Sequence, residues 1–343
     1  MLTDFEVQSL LEAAVAAPSA DNHHAWRLHI SGAQLTLRQN PIAANDRTRQ
    51  RLTLISIGAV AESLLIRATR LGFRADLQFH AADLQCPFAL QLTRAAGLPV
   101  DHLDACLAER HSNRAFRFAG PKLSDSQQAA LQQQASQVEG SWLRWLDQPA
   151  QRSACLPLIR RAEVERFRNP VLHAELFSAV RFDAGWTGTC NEGLPPASLA
   201  VHPIERPGFS MMRHWNVQRV MNLLGAHHML GLRSAALPAR LAPHVCAVGA
   251  NGPEAESAFL AGRLLLRVWT EANAMGLAVQ VLAASPIYAL PDATAVPQAL
   301  QAALAGGWQA LCPDGTPWVI LRMGRAPSPA VRAGRPAPAG FLA

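Results

Sequence analysis

The stretch Arg110-His111-Ser112-Asn113-Arg114-Ala115-Phe116 contains two arginines, a histidine, a hydroxyl and an amide within five residues. A helical pattern over residues 101–109 leads into it, and the alternation of Phe116 and Phe118 with Arg117 predicts a short extended segment behind it. Forked guanidinium groups beside a hydroxyl suit a phosphate. The same residues also make an ordinary solvated basic turn, and the rest of the chain has to decide between these interpretations.

Composition favours a globular protein with a large core. Of the 343 residues, 50% are hydrophobic and 16% are charged, which allows one large domain or two of ordinary size. The formal net charge is +6, yet the arginines are scattered along the chain and form no stripe with interleaved aromatic residues. We therefore expect no nucleic-acid partner, whereas a small anionic ligand agrees with the charge.

The sequence carries no signal for secretion or for a membrane span. The segment Met1–Ser9 contains Asp4 and Glu6 and no basic residue, unlike a signal peptide. No run approaches the roughly 18 apolar residues of a membrane span. The six cysteines form no C-x-x-C pair, so reduced thiols are expected. These features predict a soluble, cytoplasmic protein without a membrane partner.

The first third of the chain predicts a helix, a polar loop, a hairpin, a long helix and two further strands. Pro18 ends the first helix and begins the loop Pro18–Trp26, which is rich in short polar side chains. Gly72 suits the end of the long helix. The predicted elements are a helix over 4–17, strands over 26–30 and 35–38, a helix over 54–71, and strands over 75–79 and 88–93.

The remainder of the chain repeats part of this pattern. The unit 253–282 resembles the unit 54–79, because each has a long helix, a glycine and a strand. This similarity indicates an internal duplication with halves 1–104 and 105–343. Further predicted elements are helices over 125–138, 149–168, 171–181 and 210–229, strands over 141–146, 244–249 and 318–324, and an extended tail over 325–343.

Residues 183–217 differ in kind from their surroundings. They are rich in glycine and proline and include Trp186. This composition is typical of an ordered lid over an active site. A mere interdomain cover has the same composition, so both interpretations stay open.

Two segments together resemble the nitroreductase-like flavoproteins. Pro18–Trp26 is similar to the P-S-x-x-N-x-Q-P-W loop of that family, and Arg110–Phe116 is similar to its R-x-S-x-[RK]-x-F segment. In the family the arginine segment precedes the loop within one small subunit, and two subunits pair to bind FMN at their interface. Here the order is reversed, which resembles the Acg-like branch with two fused halves. Arg47–Arg51 followed by Ile55–Val60 is also similar to a segment of that branch.

The resemblance implies an α+β, nitroreductase-like fold in which two fused halves form an intramolecular pseudo-dimer, with antiparallel-rich sheets flanked by long helices. The first half keeps the loop and the second keeps the arginine segment. One complete FMN site is therefore expected in each chain, and the chain is expected to be a monomer. The cofactor-binding residues that the resemblance implies are Pro18, Ser19, Ala20 and Asn22 from the loop, Arg110, His111, Ser112 and Arg114 from the arginine segment, Val281, Leu282 and Ala283 near the ring, and Arg332 or Arg335, of which Arg335-Pro336 fits the family pattern better.

The chemistry of FMN agrees with these assignments. Arg110 and Ser112 suit its phosphate and ribityl oxygens, and the resemblance places Arg114 near the N1/O2 edge, where a cation stabilises the reduced anionic flavin. No protein acid, base or nucleophile is required for such a reaction. No G-x-G-x-x-G follows a predicted strand, which agrees with a nicotinamide donor that binds only transiently.

The implied function is that of an FMN-dependent oxidoreductase. It would pass electrons from NAD(P)H to a small-molecule substrate, either a nitroaromatic, a quinone or an unknown acceptor. The alternatives are a non-catalytic protein that sequesters FMN beneath residues 183–217, and a fold-only relic without flavin. The pairs His23-His24 and His227-His228 suggest a metal site, but adjacent residues rarely point to one site, so no metal is expected.

Overall fold

The computed structural model describes all 343 residues, which form an α+β protein with two antiparallel sheets of four strands each. The helices are α1 (Asp4–Ala16), α2 (Arg47–Arg70), α3 (Asp125–Ser136), α4 (Pro149–Arg168), α5 (Pro170–Ser178), α6 (Arg206–Met212), α7 (Trp215–Leu223), α8 (Ala226–Gly231), α9 (Leu237–Leu241), α10 (Glu254–Ala274), α11 (Ala284–Ala289) and α12 (Gln298–Leu311). The strands are β1 (Trp26–Ser31), β2 (Gln34–Gln39), β3 (Phe73–Phe79), β4 (Phe88–Arg94), β5 (Ser141–Trp145), β6 (His244–Ala250), β7 (Ala278–Leu282) and β8 (Thr316–Gly324).

The two sheets have the same strand order. It is β1-β2-β4-β3 in the first sheet and β5-β6-β8-β7 in the second, and all neighbouring strands run antiparallel. In each sheet two strands precede a long helix in the chain and two follow it. The long helix is α2 for the first sheet and α10 for the second.

Helices α2 and α10 cross in direct backbone contact through two glycines. A Cβ on Gly58 would lie 2.0 Å from the Phe259 carbonyl oxygen, and a Cβ on Gly262 would lie 1.9 Å from the Ile55 carbonyl oxygen. Each glycine thus lies against the residue three positions before the other. Only hydrogen fits at these two points, since real side chains never approach a carbonyl so closely.

Buried ion pairs secure the same crossing. The Glu62 carboxylate of α2 is 2% exposed and accepts hydrogen bonds of 2.7 Å from both Arg263 and Arg267 of α10. At the other end of the crossing, Arg51 donates to both carboxylate oxygens of Glu254, at 3.0 and 2.8 Å. Glu62 and Arg51 are buried charges that require close partners, so the two helices are held in one register.

The C-terminal tail returns to the first sheet. Leu342 bridges Leu28 of β1 in parallel, and the buried Phe341 ring lies 4.9 Å from the Trp26 ring. The predicted extended tail therefore ends against the N-terminal sheet, far in sequence from β8.

The prediction of a helix over residues 101–109 is wrong. The structure has only a short 3-10 helix at His102–Cys106. Carboxylates of this segment bind arginines of the long helices. The Asp101 carboxylate accepts a hydrogen bond from Arg267 of α10, and the Asp104 carboxylate accepts one from Arg67 of α2. These charged tertiary contacts override the local helical pattern.

The segment between β5 and β6 is mostly helical. The helix predicted over 210–229 is broken, because α6 ends at Met212, α7 follows, and Gly225 adopts a φ of 82° before α8. Residues 183–217 include α6 and the start of α7 as well as irregular backbone. They form one part of a longer insertion, residues 149–241.

Helix α2 passes a simple test for a membrane span. It contains a window of mean hydropathy 1.5, and 78% of that window is buried inside the protein. The core helix of a packed protein meets the same criterion of length and composition.

Replacing Gly58 with alanine tests the helix crossing. The added methyl group meets the Phe259 carbonyl, so we expect the free energy of unfolding to fall by about 3 kcal/mol or more, measured by urea denaturation. Gly306→Ala in α12 is the matched control, because a Cβ there has no neighbour within 4 Å. It should leave stability equal or up to about 1 kcal/mol higher. Equal stability of both variants would contradict the close crossing.

Candidate functional site

Two adjoining cavities of about 480 and 630 Å³ lie where the N-terminal loop meets the arginine segment. They share lining residues from four parts of the chain, so they form one elongated site. The shared residues are Pro18, Ser19, Asp21, Ser112, Arg114, Leu194 and Trp269.

The structure brings all of the predicted site residues to these cavities. The smaller cavity is lined by Pro18, Ser19, Asn22, Arg110, His111, Ser112, Arg114, Arg332 and Arg335. The larger cavity is lined by Pro18, Ser19, Ala20, Ser112, Arg114, Val281, Leu282 and Ala283. Residues separated by most of the chain thus meet at one place.

The arginine segment is held against α10 and the free edge of β7. The backbone N–H of Asn113 donates to the Val279 carbonyl at 2.8 Å, which is possible because β7 is an edge strand. Asn273 accepts from the backbone N–H of His111 at 3.0 Å, and the Trp269 indole donates to the His111 carbonyl at 3.1 Å. The segment is therefore fixed along its backbone, which leaves its arginine side chains to face the cavities.

Arg110 is a buried cation without an acidic partner. It is 5% exposed, its guanidinium lies 4.4 Å from the centre of the Trp269 ring, and its Nη2 donates to the Ala16 carbonyl at 2.9 Å. Its Nε has no partner. Burial, followed by the nearby Arg335, holds the pKa of Arg110 well below its usual value. Such a group is stabilised by an anion in the cavity.

Arg335 and Arg114 add to this positive field. Burial lowers the pKa of Arg335 to about 10, so it remains charged at neutral pH. Burial also lowers the pKa of Arg114, an effect that Asp21 opposes. Neither arginine forms an ion pair with a carboxylate. Arg332 differs, because it pairs with the exposed Glu109 at 3.3 Å and lies at the rim.

The N-terminal loop adopts an uncommon backbone conformation. Asp21 and Asn22 both have a φ of 57°, a region that side chains seldom occupy. Ser56 of α2 supports the turn by accepting from the backbone N–H of Ala20 at 3.0 Å. The buried Ser19 hydroxyl has no partner and lines both cavities. The loop therefore offers an unused hydroxyl to a ligand.

Asn22 connects three parts of the chain. Its amide nitrogen lies 3.2 Å from the carbonyl oxygens of Asn191, Gly193 and Gly334, and its amide oxygen accepts from Arg335. The sequence predicts that Asn22 meets a cofactor directly. It does line the smaller cavity, but its amide already binds the insertion and the C-terminal tail.

The larger cavity has mainly apolar walls. The end of β7 supplies Val281 and Leu282, and α2 supplies Ile55. The segment 183–217 adds apolar side chains to the lining, including Phe209 and Met212. This shape and chemistry suit a flat apolar group beside the arginines.

Gln280 and Arg322, which are register partners on β7 and β8, are not among the predicted site residues. Arg322 is 1% exposed, has no acidic partner, and donates to Gln280 Oε1 and to the Ala115 carbonyl, both at 2.6 Å. Arginine only donates, so the amide oxygen of Gln280 must face it. Gln280 lines the larger cavity, and its amide nitrogen, which donates no hydrogen bond to another residue, keeps its donors free. The available signal was an arginine within the apolar strand Trp318–Met323.

The histidine pairs do not converge on a metal. His24 is buried between the Trp26 and Phe341 rings, and burial lowers its pKa to about 4, so it is neutral. His23 turns outward and lies 2.9 Å from Glu192. The structure contains no group of three or more His, Cys, Asp or Glu side chains that could hold a metal ion.

Comparison with known proteins gives solved structures only. No family model and no curated protein matches the chain. A nitroreductase with bound FMN from Bacteroides fragilis is 8% identical, with a TM-score of 0.40, and covers 71% of this chain and 98% of its own. The FMN-dependent nitroreductase NfnB from Mycobacterium smegmatis, in complex with NADPH, is 17% identical, with a TM-score of 0.36 and coverages of 66% and 90%.

A nitroreductase with bound FMN from Desulfitobacterium hafniense is 13% identical, with a TM-score of 0.35 and coverages of 69% and 95%. With TM-scores this low, these likenesses do not decide what the chain binds. The assignment has to rest on the side chains around the two cavities.

Hydrogen exchange tests whether the side chain of Asn22 holds the insertion in place. Asn22→Gly keeps the positive φ but removes the side chain, so the backbone amides of residues 189–194 should exchange at least about tenfold faster. Asp21→Gly is the control, since Asp21 has the same φ and its side chain bonds to Arg49 and forms no hydrogen bond with that segment. Unchanged protection in Asn22→Gly would show that other contacts hold the insertion.

Proposed function

We propose that this protein is an FMN-dependent oxidoreductase of the nitroreductase type, with one FMN bound per chain. The observation that carries the proposal is a set of three arginines at one elongated site, the buried Arg110 and the partly buried Arg114 and Arg335, none of which forms an ion pair with a carboxylate. Uncompensated buried cations are costly unless an anion binds among them. A phosphate at one end and a flat ring at the other match the two cavities.

The smaller cavity fits the phosphate of FMN. Arg110 has an unpartnered Nε and Ser19 has an unpartnered hydroxyl, and both groups are buried at this end of the site. Ser112 adds a second hydroxyl. These donors, together with Arg335, supply the charge-assisted hydrogen bonds that a phosphate dianion requires. Arg332 pairs with the exposed Glu109 instead, so of the two alternatives Arg335 is the one that we assign to the phosphate.

The larger cavity fits the flavin ring. When bound, FMN supplies the electron-transfer chemistry, and the protein supplies position and electrostatic stabilisation. Val281, Leu282 and Ala283 form one wall beside the ring position. Arg114, which lines both cavities, places a cation at the junction between phosphate and ring. A fixed cation there favours the reduced, anionic state.

Gln280 is assigned a donor role toward the same ring. Its amide is polarised by the buried Arg322, which strengthens the remaining N–H donors. A donor of this kind also stabilises negative charge that develops on a bound ring. Arg322 itself acts through Gln280 and through the carbonyl of Ala115, so it is a positioning residue.

The arrangement of the chain supports the interpretation as two fused halves, 1–104 and 105–343, in an intramolecular pseudo-dimer of the Acg-like kind. The shared strand order and the reciprocal glycine contacts of α2 and α10 support it. Gly58 and Gly262 are 204 positions apart, as are Gly72 and Gly276, and the latter two share a φ of 74°. In this interpretation, the C-terminal tail of the second half packs on β1 of the first half. We expect the chain to be a monomer.

We further propose that NAD(P)H donates electrons and that a small organic acceptor, a nitroaromatic, a quinone or an unknown compound, receives them. The alternative is a non-catalytic protein that sequesters FMN. The cover of residues 183–217 over the larger cavity favours this alternative, since a nicotinamide needs an open face of the ring. Anaerobic addition of NADH or NADPH separates the two: bleaching of the flavin supports turnover, whereas a stable yellow colour supports storage.

FMN binding itself is tested by a visible spectrum and by titration of the apoprotein with FMN. We expect a yellow protein, and Arg110→Met should weaken FMN binding by about 10- to 100-fold because one buried charged contact to the phosphate is lost. Arg38→Met, an exposed arginine on β2, is the control and should leave the affinity unchanged. A colourless wild-type protein that takes up no FMN would refute the proposed function.

The donor role of Gln280 has a separate readout. Gln280→Leu keeps the size of the side chain but removes the donor, so the midpoint potential of bound FMN should fall by about 30 mV. Gln309→Leu, at an exposed position of α12, is the control. An unchanged potential with intact FMN binding would contradict the donor role alone.

A further inference from the structure

Exposed apolar side chains are concentrated on the helices of the insertion. On α7 and the turn behind it, Val220, Leu223 and Leu224 are 56%, 84% and 81% exposed, and their spacing places them on one face. Met229 on α8 is 67% exposed. Two adjacent leucines protruding from one turn are unusual in a protein whose core is otherwise well buried, and they indicate a surface that another body covers.

The same region carries only positive formal charge. Residues 206–253 contain five arginines and no Asp or Glu. Two acidic side chains next to this region are already paired, Glu165 of α4 with Arg168 and Glu205 with Arg233, whereas Glu175 of α5 lines the larger cavity. The apolar turn is therefore surrounded by a field that attracts anions.

A basic groove adjoins this turn. It has a volume of about 1200 Å³, and its walls include Arg160 and Arg161 of α4, His228 of α8 and Arg240 of α9. None of these three arginines pairs with a carboxylate in the structure. The groove continues the positive surface from the apolar turn toward the body of the protein.

We propose that the turn between α7 and α8, with the arginines around it, docks on a membrane surface rich in anionic phospholipids. Protruding leucines enter the boundary between headgroups and acyl chains, while arginines remain among the phosphates. A second copy of the chain fits poorly, because a two-fold contact would place this basic surface against itself. An anionic membrane surface complements the positive charge of the arginines. Its fluid interior also accepts the two protruding leucines without requiring a pocket of matching shape.

Docking at this place would affect the larger cavity. Phe209 and Met212 of α6 and Leu230 of α8 line that cavity, whereas Met211 and Met229 on the same helices are exposed. The insertion is thus apolar on both its inner and its outer face, and it separates the cavity from the docking surface. The absence of a long apolar run in the sequence concerns spanning and does not bear on such a peripheral contact.

Co-sedimentation of the full-length protein with vesicles tests the proposal. With equal amounts of lipid, the protein should sediment with phosphatidylglycerol-containing vesicles and remain in solution with pure phosphatidylcholine vesicles. Leu223→Ser combined with Leu224→Ser should weaken partitioning about tenfold or more, and Arg213→Gln combined with Arg219→Gln should weaken it about fivefold for each arginine removed.

Matched controls carry the same changes elsewhere. Phe5→Ser with Val100→Ser removes two side chains that are 73% and 52% exposed on other surfaces, and Arg38→Gln removes an exposed arginine of β2. These controls should sediment like the wild type. The proposal is overturned if the wild type ignores anionic vesicles, binds both vesicle types equally, or retains its binding in the leucine variant. Self-association that the leucine variant abolishes, measured by light scattering, would identify a second copy as the occupant instead.

Discussion

The close crossing of α2 and α10 is the constraint on which the rest of this structure depends. Two glycines bring the helix backbones into contact, and each sheet is attached to one of the two helices. Any side chain at Gly58 or Gly262 would push the helices apart, and the loop that Ser56 supports would move away from the segment that Trp269 and Asn273 hold. The geometry of the cavities therefore depends on the absence of a side chain at Gly58 and at Gly262.

The electrostatics of the site follow from the same arrangement. Burial removes the guanidinium groups of Arg110 and Arg335 from water, and the structure gives them carbonyl and amide oxygens but no carboxylate. A carboxylate would have neutralised the field and closed the site to anions. Burying these cations without carboxylate partners lowers the stability of the folded protein, and an anionic ligand offsets this loss when it binds. Ligand binding and folding stability are for this reason coupled in the protein.

Local pattern was sufficient to predict most long elements but not those fixed by tertiary contacts. The helix predicted to begin at residue 125 does begin there, where Ser124 forms a capping box, and the long helix predicted in the unit 253–282 is α10. The pattern over 101–109 failed because carboxylates that look like surface groups in the sequence are bound to arginines of the long helices. Helix α12 was not predicted at all. The resemblance to a family predicted that the site residues lie together. Arg322 and Gln280, in contrast, are recognisable only once the register of β7 and β8 is known.

The return of the tail to β1 also has a consequence for the order in which the site can form. Arg335 lies 313 positions after its partner Asn22 in the chain. During synthesis the N-terminal loop therefore lacks this contact until the segment that carries Arg335 has been made. Fragments that end before Arg335 lack one wall of the smaller cavity, so a nascent chain cannot hold an anionic ligand in the finished geometry until this segment has left the ribosome.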